Sequence, residues 1–145
     1  MKRCADIMTR EVECCLASTT VDQIARLMQT KDIGTTVVVD TLKDRKPIGL
    51  ITDRDLTVRV LATGRDPKAT KVEEVMTRDL ITRAPDESID QALKIMEERQ
   101  IRRLPIVDNA QHLQGIITQG DVANRLRDHA KTAELVEAVS KAPAA

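Results

Sequence analysis

The sequence predicts an α/β (α+β) fold built from two β-α-β-β-α motifs, related by a pseudo-twofold axis and packed sheet to sheet. Three observations predict it. The chain repeats itself: Ile7-Met8-Thr9-Arg10 returns as Val75-Met76-Thr77-Arg78, 68 positions later, and the register holds through Asp40 and Asp108. Each copy carries one amphipathic stripe at i, i+3, i+4 and i+7, Val21-Ile24-Ala25-Met28 and Ile89-Ala92-Leu93-Met96. Each copy then closes on Gly, two apolar residues, Thr, two variable residues and Asp: Gly49-Leu50-Ile51-Thr52-Asp53-Arg54-Asp55 and Gly115-Ile116-Ile117-Thr118-Gln119-Gly120-Asp121.

In chain order, a brief extended piece opens each copy, Val12 to Cys14 and Leu80 to Thr82. The helix that follows opens on a capping box, Thr20 with Gln23 and Ser88 with Gln91, in which N-cap and N3 side chains satisfy each other's backbone donors. The β-branched runs Thr36 to Val39 and Leu104 to Val107 are strands by length and composition. A polar turn, Thr41 to Pro47 or Asn109 to Gln114, leads into the Gly-led strand and makes a hairpin. Here the second copy is two residues shorter, since Gly115 follows Gly49 by 66 positions. Leu56 to Leu61 and Val122 to Leu126 have helical spacing.

Between the copies, Ala62 to Glu73, with Gly64 and Pro67, reads as a loop. After Leu126 the helix is expected to run on through His129, with a further short helix at Ala133 to Val139 and a frayed end from Ala142 to Ala145. A motif of roughly 60 residues is marginal alone, so two copies are expected to cover each other and to share a cleft that receives both Thr-x-x-Asp junctions.

The junctions carry the chemistry. Where a strand hands over to a helix, free backbone N–H groups and the positive end of the helix dipole favour phosphate, while a hydroxyl and a carboxylate can bond phosphate oxygens and sugar hydroxyls. Capping of the helix by Asp55 and Asp121 is the plainer reading of the same residues.

Composition excludes other classes. Lys plus Arg equals Asp plus Glu at 23 each, which removes the basic field a nucleic-acid or anionic-membrane binder needs. There is no Phe, Tyr or Trp, so a bound base has only aliphatic side chains or an Arg plane to lie on. The two His residues have no paired nucleophile and no carboxylate pair is set for acid–base work, so no catalytic constellation is present and the chain reads as no enzyme. Cys4, Cys14, Cys15, His112 and His129 follow no recognised metal spacing, and an odd number of thiols without a C-x-x-C pair reads as reduced cysteines in a cytoplasmic protein. No signal peptide or membrane-spanning run is expected. Met8, Met28, Met76 and Met96 lie on apolar periods and read as core.

These residues resemble a known family. Asp6-Ile7-Met8-Thr9, Asp32-Ile33-Gly34, Val37-Val38-Val39-Asp40 and Gly49 to Asp55, then Val75-Met76-Thr77, Arg99 to Asp108 and Gly115 to Asp121, are similar to a tandem pair of cystathionine-β-synthase (CBS) domains, a Bateman module. The layout looks most like stand-alone bacterial proteins of the hypoxic-response type. On that resemblance the chain divides into CBS motif 1 with the N-terminal segment (1–62), a linker (63–73), CBS motif 2 (74–130) and a C-terminal helix and tail (131–145).

The resemblance implies a non-catalytic sensor that binds adenosyl ligands (AMP, ADP, ATP, NAD or S-adenosylmethionine) in the cleft between the motifs. It would signal through a homodimer surface to a target protein, with no required cofactor and no metal. It implies that Asp55 and Asp121 hold ribose hydroxyls, that Thr52 and Thr118 contact phosphate or ribose, that Thr82 lines the adenine side with Cys14 as its first-copy counterpart, and that Ile101, Arg102, Arg103 and Pro105 touch the ligand. The copies differ. Arg102 and Arg103 stand where the first copy has Gly34 and Thr35, and Gln119-Gly120 where it has Asp53-Arg54. Asp53 opposes phosphate and Arg54 offsets it or clamps it, so the Asp121 side is the favoured nucleotide site. The alternative is an interaction scaffold with vestigial sites.

Overall fold

The computed structural model describes residues 2–125 and 129–140. In chain order the elements are α1 (Cys4–Ile7), β1 (Cys14–Leu16), α2 (Val21–Lys31), β2 (Thr35–Val39), β3 (Pro47–Thr52), α3 (Asp53–Asp55) and a π-helical stretch, Leu56–Leu61; then α4 (Val72–Val75), α5 (Ile89–Arg99), β4 (Arg103–Val107), β5 (Leu113–Thr118), α6 (Gln119–Arg125) and α7 (His129–Ser140). Contacts divide the chain into two compact units, one of Val12–Leu80 and one of Met1–Glu11 with Ile81–Ala144.

In the Val12–Leu80 unit the sheet order is β1-β2-β3. β1 runs parallel to β2 with Cys14 opposite Val37, and β2 runs antiparallel to β3 with Thr35 opposite Thr52. α2 forms because its apolar stripe buries Val21, Ile24 and Met28, and because Thr20 caps it: Gln23 N–H donates to Thr20 Oγ1 at 3.4 Å and Thr20 N–H to Gln23 Oε1 at 3.3 Å. It stops at Asp32, whose φ of 54° is a left-handed conformation that Asp tolerates. Its core joins that stripe to Cys15, Val38, Ile51 and Val60, and to Val72, Val75 and Met76.

The expected helix over Leu56 to Leu61 is present with π pitch. Ala62 N–H bonds Thr57 O and Arg65 N–H bonds Val60 O, five residues back, while the hydroxyls of Thr57 and Thr63 occupy the carbonyls of Asp53 and Arg59, four back. Those hydroxyls take acceptors that an α-helical ladder uses.

In the other unit β4 and β5 form the hairpin, with Arg103 opposite Thr118. α5 buries Ile89, Ala92, Leu93 and Met96, and α7 adds Leu135 and Val139 to the same core. The helix expected at Ala133 to Val139 is therefore longer, His129–Ser140, and Gln100 Nε2 donates to Ala138 O at 3.4 Å. The expected continuation through 126–128 and the frayed end at 142–145 lie outside the described residues.

Four expectations are corrected. The N-terminal segment packs with the second motif rather than the first: Cys4, Ile7 and Met8 enter the core of α5 and α7, and Thr9 pairs with Ile116 of β5. The corresponding segment of the second copy, Val72 to Thr77, packs in the Val12–Leu80 unit, where Thr77 pairs with Leu50 of β3. Leading segments are thus exchanged between copies. Second, the loop ends before Val72, because α1 and α4 are one repeated helical turn and Val72 is fully buried. Third, the extended piece of the second copy is reduced to one bridge, Arg83 to Ile106, since Ala84 N–H turns to Glu87 Oε1 at 3.3 Å and Pro85 has no N–H to extend the ladder. In the first copy the strand runs later than expected, Cys14–Leu16. Fourth, Ser88 caps α5 by accepting from Asp90 and Gln91 N–H, and among the described residues Gln91 makes no return bond.

The Gly that leads each closing motif has a steric reason. A Cβ at Gly115 would stand 2.7 Å from Met8 Sδ and 2.8 Å from Thr9 O; at Gly49 it would stand 2.7 Å from Met76 Sδ and 2.9 Å from Thr77 O. Glycine lets the exchanged segment lie directly on the strand.

Candidate functional site

Each Thr-x-x-Asp motif makes a corner where the hairpin's second strand turns into a helix. At the first corner Thr52 is the N-cap of α3: its Oγ1 accepts from Asp55 N–H at 3.1 Å and its own N–H donates to Asp55 Oδ2 at 3.0 Å. At the second, Thr118 N–H donates to Asp121 Oδ2 at 2.9 Å, Asp121 N–H donates to Thr118 Oγ1 at 3.2 Å, and that hydroxyl donates to Asp121 Oδ2 at 3.1 Å. Threonine is therefore the cap and aspartate the reciprocal partner three residues on, so the plain capping reading holds with the roles reversed.

The two acids are held differently. Asp121 is 9% exposed, and its second oxygen, Oδ1, accepts from Thr9 Oγ1 at 2.7 Å. Asp55 is 1% exposed, and its Oδ1 lies 3.8 Å from Arg59 Nε. That guanidinium also donates from Nη1 to Val75 O at 3.1 Å and Met76 O at 3.4 Å. Both acids are thus tied to an exchanged segment, one through a hydroxyl and one through an arginine.

Around the first corner, Asp53 is exposed; its N–H donates to Gly34 O at 2.9 Å and its Oδ1 accepts from Arg54 N–H at 2.9 Å. Arg54 is exposed beside it. Thr35 lies opposite Thr52, and its Oγ1 is buried without a partner. Around the second corner, Arg103 lies opposite Thr118, Arg102 precedes it on the surface, and Gln119 Nε2 is buried without a partner.

Of the residues expected to bind, the structure brings together Thr118, Asp121 and Arg103 with Arg102 adjacent, and separately Thr52, Asp55 and Arg54. Thr82, Ile101 and Pro105 stand along β4 instead. Thr82 precedes the Arg83 bridge, Ile101 packs on the α5 core, and Pro105 is buried opposite Ile116. Cys14 lines an open hollow of 330 Å³ with Cys15, Leu16, Thr19, Gln23, Ile24, Leu27 and Leu42, a lining that includes neither Thr52 nor Asp55. Thr9, Arg59 and Gln119 were not among the expected binding residues, whereas Thr35 lies in the stretch Gly34 to Val37 that the resemblance sets as the counterpart of Ile101 to Pro105. The signal for Thr9 was present, since Met-Thr-Arg recurs at Met76-Thr77-Arg78.

Among the described residues no group of three or more His, Cys, Asp or Glu side chains is placed to hold a metal ion. Burial pushes Cys4 up to about 11, with Glu87 adding to it, and burial together with neighbouring Cys14 pushes Cys15 up to about 12. No described helix is long and apolar enough to cross a membrane.

Residues 4–62 and 72–128 match the family model described as CBS domain. The chain is 39% identical over 125 residues to the CBS domain-containing protein YhcV of Bacillus subtilis, covering 85% of this chain and 84% of that one. It is 33% identical over 130 residues to Hypoxic response protein 1 of Mycobacterium tuberculosis, covering 90% and 89%. It spans 59% of the length of the uncharacterised protein MK0525 of Methanopyrus kandleri, with 37% identity over 117 residues. Among solved structures, Hypoxic Response Protein I with two coordinated zinc ions superposes with a TM-score of 0.73 at 34% identity, covering 85% of this chain and 98% of that one. The CBS domain pair of protein MJ0100, in complex with 5′-methylthioadenosine and S-adenosyl-L-methionine, superposes with a TM-score of 0.74 at 25% identity, covering 87% and 96%. Two family matches on an internal repeat, with two hairpins that each end in a capped Thr-x-x-Asp corner, leave one conclusion: the chain belongs to the CBS-domain family, as a tandem pair.

Proposed function

We propose that this protein is a non-catalytic regulatory module that binds an adenosyl ligand (AMP, ADP, ATP, NAD or S-adenosylmethionine) at its Thr-x-x-Asp corners. One observation carries the reading: each corner leaves a buried polar side-chain atom unpaired, Thr35 Oγ1 at the first and Gln119 Nε2 at the second. An unpaired buried group costs about 1–3 kcal/mol, and a ligand hydrogen bond supplied there offsets it. A carboxylate has about four acceptor positions, and Asp121 fills three of them with Thr9 Oγ1, Thr118 N–H and Thr118 Oγ1, so one remains, on Oδ1, for a ribose hydroxyl. The related MJ0100 pair binds two adenosyl compounds, which supports the ligand class.

Regulation follows from linkage. A ligand that bonds Asp121 perturbs the acid that also holds Thr9 and, through it, the N-terminal segment; differential affinity for two arrangements of that segment is what changes the surface offered to a second copy or a target. The π-helical face, where Val58 is 41% and Leu61 76% exposed, is the apolar surface a second copy would cover.

The second reading, a scaffold with vestigial sites, is favoured at the first corner by the burial of Asp55 and its pairing with Arg59. Calorimetric titration of the whole chain with AMP, ATP, NAD and S-adenosylmethionine separates the two. Saturable binding of at least one is expected; silence from all four leaves the scaffold.

A further inference from the structure

We infer that the two corners take different ligand classes: the Gln119 corner an adenosyl compound bearing phosphate, and the Asp53 corner an adenosyl compound without it. The inference rests on the adenosyl reading above and goes beyond it to ligand chemistry.

Positions 34 and 53 of the first copy are the repeat equivalents of 102 and 119 in the second, and both become one charge more positive there. In the first copy the pair is Gly34 and Asp53. A Cβ on Gly34 would stand 3.0 Å from Asp53 Oδ2 and 3.3 Å from its Cγ, so the carboxylate fills the space a side chain at 34 would enter. In the second copy the acid is gone, Arg102 is present and exposed, and Gln119 contributes a neutral amide.

The unpaired atoms divide the same way. Gln119 Nε2 is a donor and nothing else, so what it lacks is an acceptor, and a phosphate offers several. Thr35 Oγ1 both donates and accepts, and the nearby Asp53 carboxylate disfavours an anion while tolerating a neutral or cationic group. The charges in each set agree. The first corner holds Asp53 and Asp55 against Arg54 and Arg59, and Arg59 is committed to Asp55 and the carbonyls of Val75 and Met76. The second has Gln119 in place of the Asp53 acid, with Arg102 exposed. Arginine adds the forked geometry that suits phosphate oxygens.

AMP and 5′-methylthioadenosine share adenosine and differ in the phosphate, so equilibrium dialysis of both against the whole chain reads the division. The expected result is one of each bound together per chain. Gln119→Glu, isosteric but an acceptor with a negative charge, is expected to weaken AMP at least tenfold and leave 5′-methylthioadenosine unchanged; Asp53→Asn is expected to admit a second AMP. Competition between the two compounds for a single site, or AMP filling both corners of the unaltered chain, overturns the division while leaving adenosyl binding standing. Absence of binding by either overturns both.

Discussion

Thr9 donates its hydroxyl to Asp121 Oδ1 at 2.7 Å, joining side chains 112 positions apart. The bond ties the segment that precedes the first copy to the corner that closes the second. Hydrogen bonds to a charged, part-buried acceptor contribute about 1.5–3 kcal/mol, so Thr9→Val is expected to destabilise by about 2 kcal/mol while Thr9→Ser retains most of the stability. Urea unfolding followed by far-UV circular dichroism measures both, since the chain has no Trp or Tyr to report by fluorescence. Equal midpoints for the two variants would show that the hydroxyl contributes nothing.

Gly115→Ala places a methyl 2.7 Å from Met8 Sδ and 2.8 Å from Thr9 O. The backbone oxygen cannot move without lengthening the bond it accepts from Ile116 N–H, now 3.0 Å. A loss of about 1–3 kcal/mol is expected from this overpacking. Faster amide exchange at Thr9 and Ile116, resolved by NMR, is the signature; unchanged exchange would contradict it. Gly49→Ala is expected to do the same to Thr77 and Leu50.

Thr36 is fully buried with an unpaired hydroxyl, where the second copy has Leu104 in its core. Thr36→Val keeps the shape and removes the unpaired group, and is expected to raise stability by about 1 kcal/mol. A fall in the unfolding midpoint would mean the hydroxyl has work that its surroundings do not reveal.

Cys4 and Cys15 are buried and Cys14 is half-buried. Because the folded state raises the Cys4 and Cys15 thiols from their ordinary value of 9.0 to about 11 and about 12, their contribution to stability is full below pH 9 and is lost as pH climbs through those higher values. Unfolding midpoints taken from pH 8 upward are expected to fall above pH 9, and to fall less steeply in Cys15→Ala. At pH 8 a thiol reagent is expected to modify Cys14 first in the folded chain and all three cysteines in urea; rapid modification of Cys15 in the folded chain would contradict its burial.

The periodic parts of the fold were legible because local chemistry dictates them. The stripes of α2 and α5, the Thr20 cap and the hairpin strands each follow from residues within a few positions. What escaped was long-range. Nothing near Thr9 in sequence says that its partner is Asp121, and nothing near Cys4 or Val72 says that each exchanged segment serves the other copy. At the corners the sequence showed that Thr52 faces Asp55 and Thr118 faces Asp121 across a strand-to-helix turn, but not which of each pair is the cap, because hydroxyl and carboxylate can both serve. Thr82, Ile101 and Pro105 were expected near a ligand on the family resemblance alone, with no local signal of their distance from the corner. Arg103 and Pro105 share a face of β4, but the register sets Arg103 opposite Thr118 and Pro105 two residues further along the hairpin, opposite Ile116.

The central claim, that the corner carboxylate receives ribose hydroxyls, is tested most directly on the ligand, where no substitution can disturb the cap. Calorimetric titration of the whole chain with AMP and with 2′,3′-dideoxy-AMP compares ligands that differ only in those hydroxyls. A site built to bond a hydroxyl rejects the analogue that lacks it, and a loss of at least tenfold in affinity is expected for the dideoxy compound. Equal affinity for the two would mean that Asp121 serves Thr118 and Thr9 alone.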